Sequence, residues 1–381
     1  MIGAVFRVAA VSAVAIAIAN RPAAAYPQYQ LSRDQTCSGC HLSPAGGGLL
    51  TENGYSVAET YSQLANNKPE FMYGVLPTPS WLVFGGDVRW GAGYIRTPDS
   101  SVALFPMQAD VYAHASYNGF SLHITVGGRP PQWITNDGTP GVFDRVWSRE
   151  HYLLWQEDAA GHEGLFVRAG RFMPVFGLRV AEHPDYIRRY GGTPLYADTY
   201  GAAVEYVTSG WEAHLTGFLE DPLIDPVVHD SGVAAYAELR IDPRLQLGGE
   251  AMVTSADGHA RVRGGATAKR YVPEADLLIQ AELQVVHQQV AGGHAPNQIV
   301  GYAMASKFLG SAFLLDVGLG HYDENVAISG LDRDAVDLNL HWFVTSHVEF
   351  VWQNRIEVLG LGQSTGGPTA GWSLIHGHYR L

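Results

Sequence analysis

Two cysteines, Cys37 and Cys40, are all that this 381-residue chain contains, so the multi-bridge framework of a disulfide-stapled protein is excluded. Charge is scarce as well: Asp, Glu, Lys and Arg make up 16% of residues, against about 25% in ordinary soluble domains. The net charge is −13, which argues against a nucleic-acid partner, because phosphates call for Lys/Arg surfaces. Beyond the first 25 residues no apolar run is long enough for a transmembrane helix. The sequence also lacks a G-x-x-x-x-G-K-[ST] loop, an H-E-x-x-H motif and a G-x-S-x-G elbow, and with them the chemistry those motifs serve.

What is present begins with an export signal. Arg7 precedes the apolar stretch VAAVSAVAIAIA, and the small residues Ala23 to Ala25 offer a cleavage site. Residues 1–25 are therefore read as a signal peptide, with the mature chain starting near Tyr26. Both cysteines then fall in CSGCH, residues 37–41. A C-x-x-C-H run is the attachment site of c-type haem: the two thiols form thioethers with the vinyl groups, and the adjacent imidazole is the proximal iron ligand. One covalent haem c on Cys37, Cys40 and His41 is the cofactor this motif predicts. A C-x-x-C disulfide or redox pair with a chance histidine is the alternative. The segment 26–76, with a glycine turn at Gly46 to Gly48 and a helix expected across Leu49 to Leu64, is too poor in large aliphatic residues to form its own core. Something else must cover the haem.

From Pro77 to the C-terminus the pattern has period two, the mark of strands with one apolar face. In FSLHITV, Phe120, Leu122, Ile124 and Val126 alternate with Ser121, His123 and Thr125. In VDLNLHWFV, Val336, Leu338, Leu340, Trp342 and Val344 alternate with Asp337, Asn339, His341 and Phe343. Glu212, His214, Glu238, Gln280 and Glu282 are expected on the same polar face in other strands. About sixteen such segments occur. The tight connections near residues 118, 209, 243, 309 and 345 follow even-numbered strands, and the long ones at 129–146, 173–198, 220–231, 322–333 and 359–370 follow odd-numbered strands. Short turns at one end and long loops at the other describe an outer-membrane barrel spanning 77–381. A large soluble β-sandwich also alternates but has no reason to keep its turns short at one end. Trp81, Trp90, Trp147, Trp155, Trp211, Trp342, Trp352 and Trp372, near segment ends, are placed as aromatic girdles would be. Tyr379 and Leu381 alternate as in a closing strand.

The longest polar connection, 173–198, carries Arg179, Glu182, His183, Asp185, Arg188 and Arg189. A sixteen-stranded barrel has a lumen wide enough to admit it, so an inward loop that narrows the pore stands beside a solvated external loop as the two readings. Asp221, Asp225, His229 and Asp230 gather in another outer loop, where they are either a metal-attracting group or merely solvated. The charged stretch with Asp323, Glu324, Asp332 and Asp334 reads as a solvated loop.

A single-haem CSGCH followed by about sixteen strands resembles the fused outer-membrane cytochrome-porins of iron-oxidising bacteria. At the level of residues the resemblance is carried by TCSGCHLSPAGGGLLTENGY, with Pro44, the glycines and the Gly54-Tyr55 pair. It implies electron transfer across the outer membrane, from an extracellular donor such as ferrous iron to a periplasmic electron carrier, by a protein seated in outer-membrane lipid. The distal iron ligand is expected to be Met72, with His123, His214, His341 and the loop's His183 as rivals. A solute porin with a haem-bearing plug or redox gate is a different functional class, and a peroxidase-type haem enzyme is a third.

Overall fold

A strand that alternates polar and apolar side chains can satisfy lipid on one face and water or protein on the other, provided its backbone finds a partner on both edges. All sixteen strands do so in the computed structural model, which describes residues 28–64, 68, 71–96, 101–128, 146–222, 228–256, 258–293, 295–359 and 370–381. Residues 1–25, read from the sequence as a signal peptide, lie outside the described residues. The strands are β1 (Leu82–Arg96), β2 (Ser101–Tyr117), β3 (Phe120–Gly128), β4 (Val146–Gln156), β5 (Gly164–Phe172), β6 (Thr199–Val207), β7 (Trp211–Phe218) and β8 (Ser231–Asp242). They continue as β9 (Leu245–Ala256), β10 (His259–Val272), β11 (Leu277–Val290), β12 (Asn297–Leu309), β13 (Phe313–Asp323), β14 (Asp332–Thr345), β15 (Val348–Leu359) and β16 (Ala370–Arg380). Each pairs antiparallel with its sequence neighbours, and β16 returns to pair with β1, closing the barrel.

At that seam Trp90 faces Gly377, and a Cβ on Gly377 would stand 2.6 Å from the indole. The ring covers the glycine, a cross-strand device that pins register. Leu381 N–H donates to the Gly86 carbonyl at 2.8 Å, extending the seam to the last residue.

The side chains are arranged inside out relative to a soluble protein. Phe120, Leu122 and Val126 are exposed while Ser121, His123 and Thr125 are buried; likewise Val336, Leu338 and Trp342 face out and Asp337, Asn339, His341 and Phe343 face in. Glu212, His214, Glu238, Gln280 and Glu282 are all buried in the interior. Apolar side chains thus cover the outside of the cylinder, as lipid requires. Trp81, Trp90, Trp211, Trp342 and Trp352 are exposed on it. Trp147 departs from the girdle expectation: it lies beneath the buried Arg171 guanidinium, 5.1 Å from its ring centre.

The turn parity is looser than the sequence indicated. β9 ends at Ala256 and β10 begins at His259, so a two-residue connection follows an odd-numbered strand. Asp-Gly at 257–258 is a hairpin pair, and a hairpin closes at either end of a barrel.

Two segments occupy the interior. The N-terminal one contains the short helices α1 (Gln28–Ser32), α2 (Cys37–Cys40) and α3 (Glu52–Thr60). Helix α3 is shorter than the expected 49–64 because Thr51 ends the preceding extended chain and caps it, accepting from Gly54 N–H at 3.1 Å. Tyr29, Ala58 and Tyr61 pack on Phe308, Leu314 and Phe343 of the inner wall. Gln63 and Leu64 N–H donate to the Phe343 and Val344 carbonyls, both at 2.9 Å, and Ser346 donates to Glu59 at 2.8 Å. These contacts hold the segment at the end that carries the turn between β14 and β15. The second segment, 173–198, includes helix α4 (Tyr186–Arg189) and lies farther along the lumen.

An outward Leu338→Arg substitution in the middle of β14 is expected to cost about 2–4 kcal/mol, and the inward Asn339→Ala far less. Denaturant titration of the protein folded into lipid vesicles measures both.

Candidate functional site

The haem-motif turn is built by local hydrogen bonds. Thr36 caps α2 by accepting from Gly39 N–H at 3.0 Å, and His41 N–H donates to the Cys37 carbonyl at 2.9 Å. The chain then turns back: Leu42 N–H reaches Leu49 O and Thr51 N–H reaches Cys40 O, each at 3.0 Å. Helix α3 packs so closely on this turn that a Cβ on Gly54 would stand 2.1 Å from the Cys40 carbonyl oxygen. Only glycine fits there, which gives the Gly54-Tyr55 pair a physical reason.

Between Leu42 and Leu49 the chain makes its glycine turn. Gly46, Gly47 and Gly48 have φ of 84°, 77° and 61°, a region that glycine enters without steric cost. A Cβ on Gly46 would touch Cys37 and His41, while those on Gly47 and Gly48 would meet nothing within 4 Å. Open space therefore adjoins the motif. It belongs to a cavity of about 610 Å³ inside the barrel, lined by Cys37, Cys40 and His41 on one side and by residues of 173–198 on another.

Both thiols are free rather than bridged. Burial pushes Cys37 upward, opposed by Arg179, and pushes Cys40 up to about 11. A C-x-x-C redox pair works through a depressed thiol pKa, the opposite of the direction that burial imposes here. The donor set itself, two thiols and an imidazole beside open space within a cavity of this size, fits a covalently bound haem.

Segment 173–198 closes the cavity from the other side. Phe176, Leu178, Val180, Tyr186 and Ile187 are buried, and Leu178 to Ile187 form one cluster with Val286, Val300, Tyr302 and Met304 of the wall. Gly177 has φ 64°, and a Cβ there would lie 2.7–2.8 Å from the carboxylates of Glu282 and Glu250, so the loop backbone rests directly on these wall residues. Arg179 ties the loop to both neighbours, donating to the Ala45 carbonyl at 3.2 Å and to Glu212 of β7. Asp185 accepts from Arg355 at 3.3 Å. Arg188 is held within the loop by the carbonyls of Val180 and Thr193, both at 2.7 Å. Arg189 is exposed and lies over the Tyr190 ring, 5.3 Å from its centre. Glu182 and His183 line the cavity. Burial pushes Glu182 up; burial, then Arg188 and Arg89, push His183 down to about 4.

The proposed distal ligands are scattered. Met72 is 41% exposed in a turn at Phe71–Gly74 and does not line the cavity. Met72 and Tyr73 both adopt the left-handed region, with φ of 49° and 58°. His123 is bonded to His114 at 2.9 Å, His214 lies between Glu205 at 3.0 Å and Glu212 at 3.7 Å, and His341 between Asp316 at 3.2 Å and Glu349 at 3.0 Å. None of these three lines the cavity, whereas His183 does. Met107, Met173 and His376 also line it and were not singled out from the sequence. Their signal is weak because a lumen-facing methionine reads like any other strand residue.

The acidic loop expected to attract a metal is engaged otherwise. Asp221 pairs with Arg171 at 2.7 Å, and Asp230 accepts from Thr254 and pairs with His259, both at 2.8 Å. Asp225 lies outside the described residues. Among the described residues no group of three or more His, Cys, Asp or Glu is arranged to hold a metal ion. In the neighbouring charged stretch Asp334 pairs with His321 at 2.9 Å.

No family model matches the chain, and no curated protein matches its sequence. Solved structures do match its fold. The outer-membrane protein OmpT of Vibrio cholerae superposes with a TM-score of 0.60 at 11% identity, covering 80% of this chain and 100% of that one. An anion-selective porin from Comamonas acidovorans gives 0.58 at 13% identity, covering 79% and 99%. The outer-membrane channel DcaP of Acinetobacter baumannii gives 0.55 at 10% identity, covering 80% and 99%. The chain therefore has the porin-like fold of outer-membrane barrels.

Because the folded pKa of His183 lies below its usual 6.5, the undocked loop takes up a proton first. Docking of 173–198 is expected to be pH-independent above about 6.5 and to weaken as pH falls towards 4. Hydrogen exchange of amides 178–190 at pH 7 and pH 4.5, corrected for intrinsic rates, measures it.

Proposed function

We propose that this barrel houses a single covalent c-type haem in its lumen and passes electrons through it, from a donor outside the cell to a carrier in the periplasm, with ferrous iron as the candidate donor. The observation that carries the reading is that Cys37, Cys40 and His41 line one cavity enclosed by the barrel wall and the loop 173–198. Held by Cys37 and Cys40 with His41 on the iron, the group would supply a one-electron ferric/ferrous couple. The rest is done by the chain. The apolar band of such a barrel is about 25 Å tall, so a redox centre hanging below it would be remote from any donor outside, whereas one held within the lumen would be nearer to both faces. Phe176, Leu178 and Val180 limit solvent on the loop side, and Arg179 fixes the loop to the glycine turn at Ala45. If the chain supplied a second residue to hold the iron, Met107, Met173, His183 and His376, which line the cavity, would be better placed than Met72.

A second reading, an outer-membrane solute porin whose haem-bearing segment is a plug or redox gate, is favoured by the comparisons, since the structures alike in fold include porins and a channel. Against free passage stand two segments packed in the lumen, each with buried apolar contacts to the wall.

The purified, detergent-solubilised protein is expected to show a six-coordinate c-type spectrum reduced by ferrous iron, and little conductance in a planar bilayer. Stable conductance with a haem that iron does not reduce supports the gated porin; an open-coordinate haem moves the case to a peroxidase-type enzyme. Absence of haem contradicts both haem readings and leaves a porin.

A further inference from the structure

The cavity is lined by arginines and carboxylates together, and most of these arginines are ion-paired. Arg149 pairs with Asp110 at 3.3 Å and Asp198 at 3.8 Å, Arg168 with Glu205 at 2.9 Å, Arg179 with Glu212, and Arg380 with Glu349 at 2.9 Å. Three cavity arginines have no such partner, and one of them, Arg33, donates to the Tyr61 hydroxyl. Among the described residues no carboxylate oxygen lies within 4.0 Å of Arg89 on β1 or of Arg188 on α4, and the buried Nε of Arg89 makes no hydrogen bond. Arg188 donates to two carbonyls and to Met173 Sδ at 3.8 Å. These neutral acceptors fix its guanidinium in place, with no carboxylate in direct contact.

A half-buried guanidinium with no carboxylate in contact is a ready partner for an anion, and Arg89 and Arg188 are two of them in one cavity. The two are neighbours of a common residue, His183, whose proton affinity both depress. Burial likewise presses Arg188 below the usual arginine range. The other charged groups beside Arg188 are Glu182, Asp185, Asp198 and Arg149, and those beside Arg89 are Asp87 and His376. Asp185 and Asp198 are already committed to Arg355 and Arg149.

We propose that Arg89 and Arg188 form a seat for a carboxylate-bearing ligand in the lumen, one guanidinium for each of two carboxylates. The planar fork of arginine matches a carboxylate with two parallel hydrogen bonds, and the two forks come from different elements. Two sources share this chemistry. One is the pair of propionates of the haem, which rests on the function proposed above; the other is a free dicarboxylate drawn into the pore.

The test uses the full chain in detergent with succinate as the probe. In a haem-free C37A/C40A background, calorimetry is expected to find succinate bound at least tenfold more tightly than when R89Q and R188Q are added. R89K/R188K, which keeps the charges, is expected to retain part of the binding and to exclude misfolding as the cause of its loss. Equal binding with and without the arginines overturns the seat. In the haem-bearing protein, loss of succinate binding identifies the propionates as occupants; the pH inflection of the reduction midpoint then moves up by about one unit or more in R89Q/R188Q. Retained succinate binding identifies a free dicarboxylate. If the native protein carries no haem the proposed function falls, and the seat stands or falls on the calorimetry alone.

Discussion

Closure of the backbone on itself is the constraint on which everything else here depends. Within lipid an unpaired amide has no water to turn to, so the β1–β16 pairing from Asp87↔Arg380 to Arg96↔Gly371 fixes the number of strands and the cross-section of the cylinder. Once the outer face is given to Val, Leu, Ile and Trp, the polar half of every strand must point inward. A sixteen-stranded ring has more interior than its own side chains fill.

That interior is filled in two ways. Buried ions neutralise one another across strands, as in Arg168, Glu205 and His214, or His341, Asp316 and Glu349. Elsewhere the chain itself enters. The N-terminal segment brings Tyr29 and Tyr61 onto Phe308 and Phe343 near one end, and the loop after β5 brings Leu178, Val180 and Tyr186 onto Tyr302 and Met304 deeper in. The wall offers both segments apolar landing sites among its polar residues, an exception to strict alternation that marks where the plugs dock. Lys269 shows how the polar wall joins in: it pairs with Glu238 at 2.6 Å and donates to Gln30 of the N-terminal segment at 2.8 Å. The cavity beside CSGCH is what these two plugs leave between them.

Much of this was legible from period-two patterning. The strand count, the inward placement of Glu212, His214 and Gln280, and the closing strand at Tyr379 all follow from side-chain parity, because lipid enforces it on every strand. Parity carries no information about what crosses the lumen, however. The exposed Met72 looked like a distal ligand because it is near His41 in sequence, whereas Met107 and Met173 reach the cavity from the wall and the loop through three-dimensional folding. His123 and His341 pointed inward as expected, yet each is held by cross-strand partners that no sequence spacing reveals. The glycine turn at Gly46 to Gly48 is visible in the sequence, whereas the open space beside Gly47 and Gly48 is a property of the fold alone.

The central claim is that the haem motif lies inside the barrel with room for its cofactor. A density map of the purified native protein at side-chain detail tests it most directly. The account predicts porphyrin-sized density in the lumen, continuous with the sulfurs of Cys37 and Cys40 and facing the Gly46 to Gly48 turn. A Cys37–Cys40 disulfide beside an empty cavity, or an N-terminal segment standing clear of the barrel, would contradict it.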